Sequence, residues 1–599
     1  MIETVWEIKK AKRQIVDEIA DHMELPISVA SLFVARGLDT QDKIEDFTKI
    51  GTKYLHNPYM LPDIKPVLSR LHKALDNNEK IFVWGDYDVD GITATSVVVT
   101  TLRKLGANLA YKVPHRMEDG YDIKTPSVDQ AIQAGADLLF SVDCGIVAFE
   151  AANYAKEKGL DLIITDHHHP SSDGKIPDCI GVVNPNRDDP EYPGEHFASY
   201  AKSDFQRYPF DSLAGVGIAF KVMLALAHER GIPMREMMDE LIEYVALGTV
   251  ADVAPMIDEN RTLVHLGCMR LTNTDKVGLS ELLKVAGVKN VTTTSIGFNL
   301  GPRINAIGRL DDAGLALDLL LEKNESRAKA LAIQLDTANK RRQQQQEQVT
   351  QEAIAMVESE YDIENTHILV VGAKGWHPGL IGLVAGKLAE KYGKPALVCS
   401  IKEDGYAKGS CRSTRHFNIL EALKSPQAWS LFKKRNDGSV VCGGHAFAAG
   451  FELHSDNLKP MSKALNDYAK DIIGDVKNQR VIDIDAKIQP GEISVQTHDA
   501  MMRLAPFGAE NPQPVFIAKN MIIMSSKTIT DGKHLKLKLK GKNSTNWVEA
   551  NAWRRGHEAD KFCEGAVVDV VFTMSVEEYA GRTSLAMTIE DMRLSEAAS

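Results

Sequence analysis

Asp86, Asp88 and Asp90 occupy alternate positions in "GDYDVDG", directly after the apolar run Ile81-Phe82-Val83-Trp84. Carboxylates so crowded raise one another's pKa and oppose folding unless a positive charge lies among them. Further acids and imidazoles recur downstream: Asp143 in "SVDCG", Asp166, His167, His168 and His169 in "TDHHHP", and Asp252 in "LGTVADVAP". Carboxylates with one or two imidazoles suit Mn²⁺ or Mg²⁺, whereas zinc more often draws thiolates or several histidines. Two such ions, ~3.5–4 Å apart, can clamp a phosphate and activate water for in-line attack. Taken singly, the alternating aspartates also fit a solvated turn with an Asp capping the next helix, and the histidines fit an exposed loop.

What favours a common site is the set of elements that must carry these residues. From about residue 80, apolar runs of strand length alternate with helix-like segments: Ile81–Trp84, Leu138–Val142, Leu162–Thr165 and Gly181–Val183. Near-continuous apolar strands alternating with helices predict a doubly wound parallel sheet covered on both faces. The first three runs lead into Asp86, Asp143 and Asp166, and in such sheets the ligand crevice lies outside the carboxyl ends of the strands. The expected fold class is α/β, with five parts. They are a helical segment over 1–75, the doubly wound domain over 76–325, a connecting helix over 326–360, a second α/β domain over 361–475, and a C-terminal β-barrel of OB-fold type over 480–594. The connecting helix is expected because its residues include neither Gly nor Pro and are mostly helix formers.

Two further groups suit anions. "GSCRS" offers Ser410, Arg412 and Ser413, and "GGHAFAAG" offers Gly443, Gly444 and His445. Glycine-rich turns leave backbone N–H groups free to face phosphate, and Arg412 suits bidentate phosphate contact. A surface salt bridge or tight packing would use the same residues. "WHPGLIG" reads as structural, with Pro378 in the first turn of a helix and Trp376 packing. In the barrel region, eight Lys/Arg between Lys527 and Arg555 face two acids, in a chain of net charge −12. Lys536, Lys538 and Lys540 fall on one strand face with leucines on the other. Trp547, Trp553 and Tyr579 supply rings on which bases could stack.

The rest of the composition sets bounds. The 599 residues are 44% hydrophobic and 25% charged, ordinary for globular protein. No apolar run approaches a membrane span, and "MIETVWEIKKAKRQ" has no secretory pattern. Seven cysteines without a CxxC pair argue for a reducing compartment and against a structural zinc site. The expected location is the cytoplasm.

"GDYDVDG", "SVDCG", "TDHH" and "LGTVADVAP" resemble the four motifs of the DHH phosphoesterase superfamily. "VPHRMEDGYD", "LAGVGIAFK", "LGPRINAIGRLDDA", "WHPGLIGLVAGKL", "GSCRS", "GGHAFAAGF" and "LAPFGAENPQPVF" are similar, in order, to landmarks of its RecJ branch, the single-strand-specific DNA exonucleases. The resemblance implies a DHH domain, a DHHA1 domain and an OB-fold. It implies that Asp86, Asp88, Asp90, Asp143, His167 and Asp252 hold two Mn²⁺ or Mg²⁺ ions, or directly support ligands that do. Asp166 and His168 would be catalytic, His168 touching the scissile phosphate or supporting a ligand. Arg116, Ser410 and Arg412 would hold the 5′-terminal phosphate. Arg303, Asn305 and Arg309 would hold the backbone near the cut, and Gly444 and His445 would line the anion site. Lys536, Lys538, Lys540, Trp547 and Trp553 would contact DNA from the OB-fold. The implied activity is 5′-to-3′ degradation of single-stranded DNA to 5′-mononucleotides, in recombination and mismatch repair. The implied partners are a single-strand-binding protein and a RecQ-type helicase, with no membrane, and the chain is expected to be a monomer. Three positions depart from the pattern: His169 stands where relatives often carry an acid, His115 where asparagine is common, and Cys411 where glycine is usual. Two other readings share the motifs: a phosphoesterase of oligoribonucleotides or cyclic dinucleotides, and a non-catalytic replication scaffold.

Overall fold

The structure is a computed structural model. It describes residues 4–115, 119–120, 122–171, 173–187, 207–310, 312–415, 417–435, 438–473, 480–542, 544, 547–579 and 582–595. The chain divides into two compact units. One comprises Trp6–Asn305, Ala313–Ala332 and Asp483–Ser599, the other Met1–Val5, Ala306–Asp312 and Ile333–Ile482.

In the first unit, five short strands form a parallel sheet: β1 (Lys80–Trp84), β2 (Asn108–Lys112), β3 (Leu138–Val142), β4 (Asp161–Thr165) and β5 (Gly181–Val183). Their spatial order is β2-β1-β3-β4-β5. The order reverses between β1 and β3, and that is the switch point where doubly wound sheets open a crevice. The central strands are buried on both faces, which is why their sequences lack a polar alternation. Three helices complete the site: α1 (Val89–Lys104), α2 (Gly215–Glu229) and α3 (Met234–Ala251). α1 is rich in β-branched residues, which disfavour helix. Its buried hydroxyls offset this by bonding carbonyls one turn back: Thr95 to Gly91, Ser96 to Ile92 and Thr101 to Val97, at 2.7–2.9 Å.

The barrel lies in the same unit. Its long strands Phe516–Ile529, His534–Gly541, Trp547–Ala552, Arg582–Leu594 and Val567–Tyr579 pair in that order, and the last pairs back to the first. Leu535, Leu537 and Leu539 are fully buried, as the period-two pattern predicts. The N-terminal residues do not form a separate lobe. Helices Arg13–Met23, Ile27–Ala35 and Gln41–Thr48 contribute Val16, Ile19, Val29, Phe33 and Ile44 to one continuous core with the barrel's Phe516, Leu537, Phe562 and Phe572. Asp485 ties this junction through Arg36 at 2.9 Å and Lys9 at 2.8 Å. Buried Arg261 adds bonds to the carbonyl oxygens of Phe47, Leu504 and Ala505.

The second unit holds a mixed sheet of Leu369–Lys374, Ala396–Ile401, Tyr406–Arg412, Cys442–His445 and Ala448–His454. Helix α4 (Glu325–Glu360) spans 36 residues, and the chain passes from one unit to the other within it. Two local expectations change here. "GSCR" is not a turn but the end of strand Tyr406–Arg412, paired on both sides. Gly409 is required there because a Cβ would fall 2.1 Å from the Phe451 ring. Cys411 is simply a buried strand residue. Pro378 lies ahead of helix α5 (Ile381–Tyr392) rather than in its first turn, while Trp376 is buried and donates to Glu352 at 2.7 Å.

Candidate active site

Asp86 follows β1, the N-terminus of α1 delivers Asp88 and Asp90, and Asp143 and Asp166 directly follow β3 and β4. Asp88 caps α1 by accepting from Gly91 N at 3.1 Å, as the capping reading of the alternating aspartates expects, but Asp86 and Asp90 are buried rather than in a solvated turn, and Asp88 also faces Asp86 and Asp143. Asp90 is buried, and its two oxygens accept from Gly215 N at 2.7 Å and Val216 N at 2.9 Å. The motif "LAGVGIAFK" thus places the positive N-terminus of α2 where it holds a carboxylate. Gly215 must lack a side chain, since its Cβ would lie 2.4 Å from Asp143 Oδ1.

His167 stands at the centre. Its Nε2 lies 3.3 Å from Asp143 Oδ1, 3.8 Å from Asp252 Oδ2 and 3.9 Å from Asp90 Oδ2. Three overlapping groups present ligand atoms all within 4.8 Å of one another: Asp86, Asp88 and Asp143; Asp90, His167 and Asp252; and Asp143, His167 and His168. Among the described residues, no hydrogen-bond donor satisfies the buried Oδ1 of Asp143.

The electrostatics describe acids waiting for cations. Burial, then Asp252 and Asp88, hold the Asp90 carboxyl well above the usual range. Burial, then Asp90, Asp88 and Asp86, do the same to Asp143. Burial and Asp88 raise Asp252 to about 7. Burial lowers His167 to about 4, leaving a neutral imidazole with a lone pair to donate. A hard divalent cation takes a neutral imidazole and ionised carboxylates; His167 is already neutral, and the repulsion and burial that raise the acids are what a bound cation would offset, so the residues present fit Mn²⁺ or Mg²⁺.

His168 differs. Burial works to lower it, but its Nδ1 lies 2.7 Å from Asp166 Oδ1, and the neighbouring acids push it up to about 9. Asp166 accepts as well from the backbone N–H groups of His167, His168 and Ile146 at 2.8–3.1 Å. Among the described residues, Asp166 belongs to none of the three ligand groups. His169 is exposed.

One acid here was not anticipated. Asp122, at φ 73°, accepts from Ile123 N at 2.9 Å, and burial raises it to about 6 beside Asp166 and His168. The signal was its place at the end of "GYD", where an Asp can adopt the left-handed region.

The other predicted residues lie elsewhere. In the second unit, a Cβ on Gly382, in the first turn of α5, would meet Ser410 Oγ at 3.0 Å and Arg412 Nη2 at 3.4 Å. The hydroxyl and guanidinium therefore lie across a helix N-terminus, an anion-binding arrangement. Burial lowers the Arg412 pKa, and among the described residues no carboxylate pairs with it. Arg412 and Ala448 are register partners, and Gly444 (φ 146°) and His445 are exposed on the neighbouring strand. Arg303 and Asn305 are half-buried on helix Gly301–Leu310, with Arg303 Nη1 donating to Asn299 O at 2.7 Å. Arg116 and the side chain of Arg309 lie outside the described residues.

On the barrel, Trp547 and Trp553 are half exposed, and Lys538 Nζ sits 4.0 Å from the Trp547 ring centre. Not every cation counted there is available. Lys536 pairs with Glu549 at 2.7 Å, and Arg555 is taken by Glu558 and by Asp591 at 2.6 Å. The Tyr579 side chain lies outside the described residues.

A β2-β1-β3-β4-β5 sheet with acids and imidazole gathered at its switch point defines a metal-dependent phosphoesterase of the DHH class, and the DHH family N-terminal domain matches residues 80–249. The DHHA1 domain matches residues 365–471 and the RecJ OB domain residues 484–591. The single-stranded-DNA-specific exonuclease RecJ of Bacillus subtilis is 34% identical over 595 residues, covering 99% of this chain and 71% of that protein. The crystal structure of RecJ with Mn²⁺ from Thermus thermophilus superposes with TM-score 0.78 at 26% identity, covering 99% of this chain and 80% of that one. Its Mg²⁺ complex gives TM-score 0.73 at 25% identity, covering 99% and 79%. The chain belongs to the RecJ family. Among the described residues, no helix is long and apolar enough to cross a membrane.

Proposed function

We propose that the protein is a single-stranded-DNA-specific exonuclease that hydrolyses phosphodiesters from the 5′ end, releases 5′-mononucleotides, and works with two Mn²⁺ or Mg²⁺ ions. The observation that carries this reading is the pair of ligand groups gathered at the switch point, Asp86, Asp88 and Asp143 beside Asp90, His167 and Asp252, with His167 Nε2 only 3.3 Å from Asp143 Oδ1. Asp86, Asp88, Asp90, Asp143, His167 and Asp252 would hold the ions, which when bound would supply Lewis acidity toward the phosphodiester and toward water.

The protein's own groups do the rest. Protonated through neutral pH, His168 donates toward the scissile phosphate and offsets charge that develops there. Asp166 fixes the orientation and charge of that imidazole. Ser410, Arg412, Gly444, His445 and Arg116 hold the 5′-terminal phosphate, and Arg303, Asn305 and Arg309 the backbone that follows. Lys538, Lys540, Trp547 and Trp553 grip the strand further on, with Lys536 partly neutralised by Glu549. The enzyme acts as a monomer in the cytoplasm, in recombination and mismatch repair, on strands exposed by a RecQ-type helicase and coated by single-strand-binding protein. The test is Asp143→Ala, assayed on end-labelled single- and double-stranded DNA in Mn²⁺ with calorimetric Mn²⁺ titration. Loss of both binding and single-strand degradation is expected; degradation at the wild-type rate would refute the assignment of the site.

A further inference from the structure

Two strongly exposed apolar side chains, Val253 and Phe298, lie on backbone that passes the end of α3 beside Asp252. α3 ends at Ala251, Asp252 caps it, and Val253 takes φ 61°. Val253 N donates to Val250 O and Ala254 N to Thr249 O, both at 3.2 Å. In this helix stop, glycine is the usual residue at the left-handed position. A β-branched side chain is strained there, and at 68% exposure Val253 gains no compensating burial. Such outliers gather at functional sites.

The second side chain is Phe298, 78% exposed on the π-helical turn Ile296–Leu300. Turns of this kind also mark functional sites. The residue after the turn, Gly301, abuts the end of α3: a Cβ built on it lies 3.6 Å from Ala251 Cβ. Arg303 Nη1 donates back to Asn299 O at 2.7 Å, which fixes the turn. Val253 thus follows Asp252 directly, and the turn that carries Phe298 leads, three residues on, into Gly301 beside Ala251, the residue before Asp252.

We propose that Val253 and Phe298 form an apolar step on which the nucleobase adjoining the scissile phosphate rests, whatever its identity. The inference rests on the single-strand exonuclease reading. An exposed apolar contact suits a base better than a phosphate, and every base has an apolar face. A duplex keeps its bases stacked inside, so the step would engage only unpaired nucleotides.

The experiment compares wild type, Val253→Gly, Phe298→Ala and Phe298→Trp on an oligodeoxynucleotide and on the same oligomer with abasic nucleotides at its 5′ end. With base-bearing DNA, kcat/KM of Val253→Gly and Phe298→Ala should fall about 5- to 20-fold, mainly through KM. With abasic DNA the two should match wild type, and Phe298→Trp should retain activity on both substrates. Val253→Gly should melt no lower than wild type, because glycine relieves the left-handed strain. Equal losses on both substrates, no loss on either, or weakened Mn²⁺ binding in either variant would overturn the proposal. Wild-type enzyme inert toward all single-stranded DNA would instead overturn the exonuclease reading, and this step with it.

Discussion

Asp252→Asn should make the metal-free enzyme more stable while weakening its hold on Mn²⁺. In the folded chain Asp252 titrates at about 7, against about 3.9 when unfolded. Its raised pKa means that the folded state binds more protons between those values, so stability falls as pH rises through this window and is lowest above 7. The difference of about 3 pKa units corresponds to about 4 kcal/mol at pH 8 and about 1.5 kcal/mol at pH 5. Asparagine mimics the neutral acid and escapes the penalty. After chelation, the variant's melting temperature should exceed that of wild type by several degrees at pH 8 and by much less at pH 5. Saturating Mn²⁺ should reverse the ranking, because only the wild type gains the full linkage from bound metal. Differential scanning calorimetry at both pH values, with EDTA and with Mn²⁺, reads all four cases. A metal-free variant no more stable than wild type at pH 8, or a gain independent of pH, would refute the reasoning.

Other expectations follow from single contacts. Gly215→Ala should cost at least tenfold in Mn²⁺ affinity by titration, since its Cβ would press on Asp143 Oδ1 at 2.4 Å and metal sites tolerate little displacement. Asp166→Asn should move the basic limb of the kcat–pH profile from about 9 toward about 6.5, because His168 loses the partner that keeps it charged; an unmoved limb would show that His168 is not the group observed. Arg412→Ala should cut the preference for a 5′-phosphate over a 5′-hydroxyl end about tenfold or more, with Mn²⁺ binding unchanged. On the barrel, Trp547→Ala should weaken single-strand binding about 5- to 100-fold. Lys540→Ala should lower the log–log salt slope by about 0.7, while Lys536→Ala should lower it less, since Glu549 already neutralises that ammonium.

The cluster of acids and imidazole was legible because its parts follow from short-range rules. Apolar runs fix the strands, strand ends fix where Asp86, Asp143 and Asp166 emerge, and the sheet order brings those ends together. What joins residues distant in sequence was not legible. Nothing in "LAGVGIAFK" announces that its first N–H groups hold Asp90, since that contact needs the tertiary position of α2. "GSCR" looked like a turn because glycine and serine favour turns, yet the Phe451 ring requires the glycine inside a strand. The excess of cations over the barrel was a count, and a count cannot show that Lys536 and Arg555 already have carboxylate partners. Asp122 escaped notice because a single acid in a loop carries no periodic signal.

The shared interior of the N-terminal helices and the barrel bears on how the polypeptide is made. Val29, Phe33 and Ile44 leave the ribosome long before Phe516, Leu537 and Phe572 exist to cover them. At about 5–20 residues per second, the wait is on the order of tens of seconds. Through that interval the nascent helices display an uncovered oily stripe, a natural handle for chaperones and a hazard if translation stalls. A prematurely released polypeptide would keep the stripe bare, so synthesis itself would expose chains lacking their barrel to chaperones and proteases.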